Sequence, residues 1–185
     1  MARMPRLFFG LDLPSEVDSH LELMSSGVPG ARWEGRDKFH LTLRYLGDVD
    51  GRVHREIVDA MTDLSSPPFE MTLKGIGIFP PRGAPTSLWA GVADPEPVTA
   101  LRRKVETRLR GVEVEPDPRR FVPHVTLARL GDSPVDAVVA YMSDHVLFRS
   151  ETFRVEQLNL YSSVRTPKGS HYRIEAGFPL KSVET

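Results

Sequence analysis

Two short stretches, Phe39-His40-Leu41-Thr42-Leu43 and Pro123-His124-Val125-Thr126-Leu127, repeat one pattern: His-x-Thr-x inside an apolar run. In a strand, residues i and i+2 share a face. His40 and Thr42 therefore sit on one face, with Leu41 and Leu43 on the other. His124 and Thr126 oppose Val125 and Leu127 in the same way. An apolar sheet face has to be covered, and helices on that side leave the two polar faces for a groove. A chain carrying one such strand in each half is pressed towards a duplicated unit folded around a shared cleft.

The segments around the motifs agree. Residues 6–13 read as a buried strand and residues 15–24 as a helix, broken by Val28-Pro29-Gly30. Residues 31–34 are a short strand candidate, and the first motif strand covers 39–46. Val53, Ile57, Val58, Met61 and Leu64 carry the spacing of an amphipathic helix. Residues 69–79 read as one strand with a bulge near Lys74-Gly75, and 87–92 as another. A helix over 95–110 precedes the second motif strand at 124–130. Residues 135–142 form a shorter helix or turn. Residues 153–160 read as a strand with a break in alternation, and Thr166-Pro167-Lys168-Gly169 as a hairpin turn before a last strand at 171–178. The expectation is an α+β fold: a single bilobal domain over 1–185, with two mainly antiparallel sheets backed by helices. One motif lies in each lobe, at 40–43 and 124–127, and no linker is long or polar enough to separate independent domains.

Composition limits the partners. A net charge of −1 argues against a long nucleic-acid duplex, but a small anion or the end of an RNA fits. Without cysteine there is no thiol nucleophile, disulfide or cysteine metal site. The apolar run Leu7-Phe8-Phe9-Gly10-Leu11 is cut by Asp12, too soon for a secretory signal. No apolar stretch has the length of a membrane span. A cytoplasmic protein without membrane contact, acting as a monomer, is expected.

The paired histidines suggest the chemistry. Imidazole titrates near pH 6.5, so one ring can be neutral while the other is charged. Hydrolysis at phosphorus uses both states: one ring takes a proton from water, and the other gives one to the leaving oxygen. A cyclic phosphate suits such a pair because ring opening releases an alkoxide. Thr42 and Thr126 can donate to the non-bridging oxygens. Metal chemistry has no His-Glu-x-x-His, His-x-His or cysteine set to support it, and Gly75-Ile76-Gly77 lacks the remainder of a nucleotide-binding loop. Strand parity favours Arg44, at +4 from His40, over Arg129, at +5 from His124, as a cleft cation. Phe79, Trp89, Phe121 and Tyr161 are candidates to stack on a base.

The sequence resembles the two-histidine (2H) phosphoesterases, and among them the RNA 2′,3′-cyclic phosphodiesterases, also called 2′-5′ RNA ligases. The resemblance runs from Arg6-Leu7-Phe8-Phe9-Gly10-Leu11-Asp12-Leu13-Pro14 through His40-Leu41-Thr42-Leu43-Arg44-Tyr45-Leu46-Gly47, Gly77-Ile78-Phe79-Pro80 and Leu88-Trp89-Ala90-Gly91. It continues in Phe121-Val122-Pro123-His124-Val125-Thr126-Leu127-Ala128-Arg129 and ends at Gly177-Phe178-Pro179-Leu180. It implies a bilobal fold of pseudo-two-fold symmetry, no metal or other cofactor, and RNA with 2′,3′-cyclic phosphate ends, or cyclic nucleotides, as substrate. It implies hydrolysis to a 2′-phosphomonoester, with His40 as proton donor and His124 as acceptor. It also puts Arg129 near the phosphate, which reverses the parity preference and demands an irregularity after Leu127. Tyr45 stands where the family more often has phenylalanine, and Gly10 where alanine is common. Two readings remain beside hydrolysis: ligation by the reverse reaction, and a module that binds an RNA end without turnover.

Overall fold

The protein was analysed as a computed structural model, which describes residues 4–167 and 169–182. Ten strands and four α-helices alternate along the described chain. The first half holds β1 (Arg6–Leu11), α1 (Ser15–Leu23), β2 (Arg32–Trp33), β3 (Leu41–Asp48) and α2 (Gly51–Met61). It continues with β4 (Phe69–Met71), β5 (Leu73–Phe79), β6 (Ser87–Val92) and α3 (Glu96–Arg108). The second motif opens β7 (His124–Arg129), followed by α4 (Val135–Asp144), β8 (Phe153–Val155), β9 (Gln157–Thr166) and β10 (Gly169–Pro179).

The main sheet is antiparallel throughout, in the order β10-β9-β1-β3-β7-β6-β5, with β2 added against β7. Its two halves, one per motif, meet where β3 pairs with β7 at Leu41 and Val125. The two expected sheets are thus hydrogen-bonded into one through the motif strands themselves. Outward from this seam the order is symmetric: β1 and then β9 flank β3, as β6 and then β5 flank β7.

The helices cover one face. Val17 and Leu21 of α1, Val53, Ile57 and Met61 of α2, and Val98, Leu101 and Val105 of α3 share a buried cluster with Leu7, Phe9, Leu41, Leu43, Val125 and Leu127. Val138 and Tyr141 of α4 pack on Leu88, Ala128 and Leu130. Each such side chain stabilises the fold by roughly 1.5–3 kcal/mol when fully buried. Asp50 caps α2, its carboxylate accepting from the Arg52 and Val53 amides at 2.9 and 2.8 Å. With the apolar face closed, the motif hydroxyls and imidazoles are left on the other.

Two expected strands are each two. Residues 69–79 divide at Thr72 and residues 153–160 at Glu156, and the short pieces β4 and β8 pair with each other in a separate two-stranded sheet. The breaks in alternation were real. They mark chain leaving one sheet for another, and Gly75 (φ +74°) takes up the remaining turn within β5. The expected hairpin turn falls partly on Lys168, outside the described residues; Thr166 and Gly169 on either side of it are paired. Among the described residues no helix is long and apolar enough to cross a membrane.

Candidate active site

The seam between β3 and β7 places the two motifs. Continuing the Leu41–Val125 pairing by one residue sets His40 beside Thr126 and His124 beside Thr42, around a local dyad. His40, Thr42, His124, Thr126 and Arg129 all line one cleft of about 300 Å³ on the open face of the sheet.

The two rings are oriented by the same device. His40 Nδ1 donates to the Lys38 carbonyl at 2.7 Å, and His124 Nδ1 donates to the Val122 carbonyl at 2.6 Å. A carbonyl can only accept, so each neutral ring carries its hydrogen on Nδ1 and keeps Nε2 for proton exchange. At His40 the Thr42 hydroxyl reaches Nε2 at 2.9 Å. Phe8 (centroids 4.9 Å) and the edge-on Tyr172 (5.0 Å) hold the His40 ring. Phe79 (5.0 Å, edge-on) and Trp89 (5.7 Å) hold His124. The Trp89 ring lies across Gly77, where a Cβ would come 2.2 Å from it, so only glycine lets the indole lie there.

Burial pushes both imidazoles below their ordinary value of 6.5. At His40 the Lys38 carbonyl and the Asp12 carboxylate oppose this, while His124 and Arg129 add to it. At His124 the Val122 carbonyl opposes it and Arg129 adds to it. Two conclusions follow. The rings are near enough for the charge of one to act on the other, and the Arg129 guanidinium acts on both.

The arginines depend on a pair of bulges. β1 pairs Gly10 with Thr42 and Phe9 with Arg44, passing over Leu43. β6 pairs Trp89 with Thr126 and Leu88 with Ala128, passing over Leu127. Each bulge reverses strand parity directly after its motif. Arg44 is therefore turned away from the cleft, contrary to simple alternation, and Tyr45 lines the cleft in its place. Arg129 reaches the cleft by the same reversal, at the position related to Tyr45 by the dyad. Its Nε stands 3.7 Å from Glu34 Oε1, and its side chain stays half-exposed.

Arg44, 4% exposed, is a structural ion. It donates to the Tyr45 carbonyl and, at 2.6 Å, to the Glu115 carbonyl. Its Nε lies 2.7 Å from Glu106 Oε1 of α3, a charge contact off the N–H axis. Arg44→Ala is expected to lower unfolding free energy by about 1–3 kcal/mol, since it strips a charged donor from the Tyr45 and Glu115 carbonyls and leaves Glu106 only its longer contact with Arg102, at 3.6 Å. Turnover per folded molecule should stay near wild type; chemical denaturation and an active-site titration would measure the two.

The aromatic candidates part company. Phe79 braces His124 without lining the cleft. Tyr161 is buried beneath Phe8, stacked at 5.0 Å, with its hydroxyl donating to Asp12, so no base reaches it. Phe121 packs at the margin of the core under the Arg102 guanidinium, 4.7 Å from its ring centroid, on a different surface. Sequence reasoning missed Phe8, Tyr45 and Tyr172, whose rings do line the cleft, and the cations Arg6, Lys38 and Arg165 near them. Among the described residues, no three imidazole, thiol or carboxylate groups gather as a metal-ligand set.

Known proteins resemble this chain in sequence and in fold. The model of the 2′-5′ RNA ligase superfamily matches residues 26–167. An RNA 2′,3′-cyclic phosphodiesterase of Thermotoga maritima is 30% identical over 178 residues, covering 91% of this chain and 92% of that one. A second, of Geobacillus stearothermophilus, is 31% identical over 94% of this chain, which spans only 56% of that relative's length. Among solved structures, the protein TT0787 of Thermus thermophilus superposes with a TM-score of 0.80 at 25% identity, covering 97% of this chain and 100% of its own. Escherichia coli LigT in its apo form superposes with a TM-score of 0.79 at 22% identity, covering 98% and 100%. By the family match over most of its length, and by a fold built from two His-x-Thr-x strands joined at a dyad, the chain belongs to the 2′-5′ RNA ligase superfamily.

Proposed function

We propose that this protein hydrolyses RNA 2′,3′-cyclic phosphate ends to 2′-phosphomonoesters by a metal-independent mechanism, with His124 as the general base and His40 as the general acid. The observation that carries this reading is the convergence of both Nε2-bearing imidazole faces, both threonines and one guanidinium on a single cleft. Nε2 of His124 takes a proton from water as its oxygen bonds to phosphorus. The bond to the 3′-oxygen breaks opposite, and His40 Nε2 gives that oxygen its proton. Thr42, Thr126 and Arg129 meet the charge that accumulates on the non-bridging oxygens. At His40, the proposed acid, the Asp12 carboxylate works toward the charged form against the larger effect of burial.

The test is an RNA ending in a 2′,3′-cyclic phosphate, incubated with the protein in excess EDTA, its product mapped by phosphomonoesterase treatment and chromatography. A 2′-phosphate formed at an undiminished rate is the expected outcome. Loss of turnover with chelator overturns the metal-free mechanism, a 3′-phosphate reverses the two histidine roles, and tight binding without cleavage leaves a binding module.

A further inference from the structure

The cleft is built to take an anion, yet one carboxylate lines it. Arg6, Lys38, Arg129 and Arg165 supply its positive charge, and among the described residues that line it Glu34 alone is acidic. The backbone puts Glu34 there. β2 pairs Arg32 with Arg129 and Trp33 with Ala128, and one residue further along the Glu34 amide donates to the Leu127 carbonyl at 2.8 Å. Trp33 packs into the core on the helix side, against Tyr141 of α4. Alternation therefore turns Glu34 to the open face, alongside the stretch of β7 between Thr126 and Arg129. Its contact with Arg129 is one of charge: Oε1 stands 3.7 Å from Nε, beyond hydrogen-bond reach, so the guanidinium is not clamped. The Glu34 side chain is only 20% exposed, so water screens that charge incompletely. Its field extends across the cleft. Burial pushes the Tyr172 phenol up, Glu34 adds to this and Arg129 opposes it, and Tyr172 is the ring held edge-on against His40.

The reaction changes the charge that this pair meets. A cyclic phosphate is a diester with a single negative charge. Water adds across one P–O bond, and the monoester formed has a second acidic oxygen, which loses its proton at about pH 6. Above that pH the cleft receives a monoanion and has to release a dianion. A cleft with cations alone would hold its product the more tightly of the two. The geometry points to Glu34 as the residue that matches the cleft to a monoanion: set against Arg129, it offsets part of the guanidinium charge and repels the second charge of the product. This inference rests on the proposed hydrolysis and adds selection of substrate over product, which limits product inhibition.

The experiment measures by titration calorimetry, at about pH 8, the binding of two ligands: a nucleoside 2′-phosphate, which is the dianionic product, and its methyl ester, a monoanion of similar shape. Glu34→Gln removes one negative charge and keeps the size of the side chain. A dianion feels that change twice as strongly as a monoanion. Affinity should therefore rise about threefold for the methyl ester and by the square of that, about tenfold, for the product. Inhibition of cyclic-nucleotide hydrolysis by added product should deepen in step. Glu34→Asp keeps the charge and should keep the wild-type ratio of the two dissociation constants, and added salt should shrink the difference that Glu34→Gln makes. Equal changes for both ligands in Glu34→Gln, or no change for either, overturns the charge match. A fall in kcat as large as that expected for Arg129→Ala, without tighter product binding, also overturns it and makes Glu34 a mere support for that side chain. Absence of hydrolysis by the wild-type protein overturns the proposed function instead and leaves both binding constants readable, so the two failures are distinct.

Discussion

Alanine at His124 lowers kcat by about 10²–10⁴-fold, the usual worth of one general base, and alanine at His40 does the same for the acid. The pH profiles separate the two. In the proposed mechanism the productive free enzyme carries a neutral His124 and a protonated His40, so kcat/KM should fall on the acid side as His124 gains a proton and on the alkaline side as His40 loses one. Burial holds both rings below 6.5, so the optimum of kcat/KM lies on the acid side of that value. The bound phosphodiester anion favours imidazolium, so the alkaline limb of kcat lies higher than that of kcat/KM. Because the rings interact, the two limbs in wild type belong to the pair. His124→Ala should lose the acid limb and His40→Ala the alkaline one, measured on residual activity with the fold checked by circular dichroism. An acid limb that survives in His124→Ala means that the base is another group.

How far the sequence revealed this site depends on which residues mark themselves. The shared face of His40 with Thr42, and of His124 with Thr126, follows from a period of two and was readable at once. The side chains after each motif were not. A bulge at Leu43 or Leu127 is set by how the neighbouring strand pairs, and neither leucine differs from an ordinary strand residue. Counting by two therefore sent Arg44 to the cleft when it lies buried against Glu106, and kept Arg129 out when it lines the cleft. Phe8 escaped notice for another reason. In Leu7-Phe8-Phe9 both faces are apolar, because the cleft face is covered by stacked rings and the other by helices, so no alternation distinguishes them. Tyr172 comes from β10, remote in sequence from either motif, and only the sheet order β10-β9-β1-β3 brings it to His40. Residues 69–79 and 153–160 showed their parity breaks plainly, but a break fits a bulge as well as a change of sheet, and long-range pairing of β4 with β8 decided between them.

Arg129→Ala tests what those bulges accomplish. Among the described residues, its guanidinium is the one cation whose field acts on both imidazoles, and it occupies the place that Tyr45 takes on the other side of the dyad. A phenol can offer one hydrogen bond and no charge, so Tyr45 cannot replace it. Loss of a donor aimed at the developing phosphate charge should cost about 10²–10³-fold in kcat. The sign of the pH effect is fixed independently. Arg129 lowers the proton affinity of both rings, so its removal raises both, and the acid and alkaline limbs of kcat/KM should move together to higher pH. Arg129→Lys keeps the charge, so its limbs should stay near wild type while part of the rate is lost with the bidentate fork. A purely structural role for Arg129, through its contact with Glu34, predicts otherwise: Glu34→Gln would then reproduce the loss, and Arg129→Ala would lower activity with both limbs unmoved. The joint displacement of the limbs therefore distinguishes a guanidinium over the phosphate from one that only steadies the rim of the cleft.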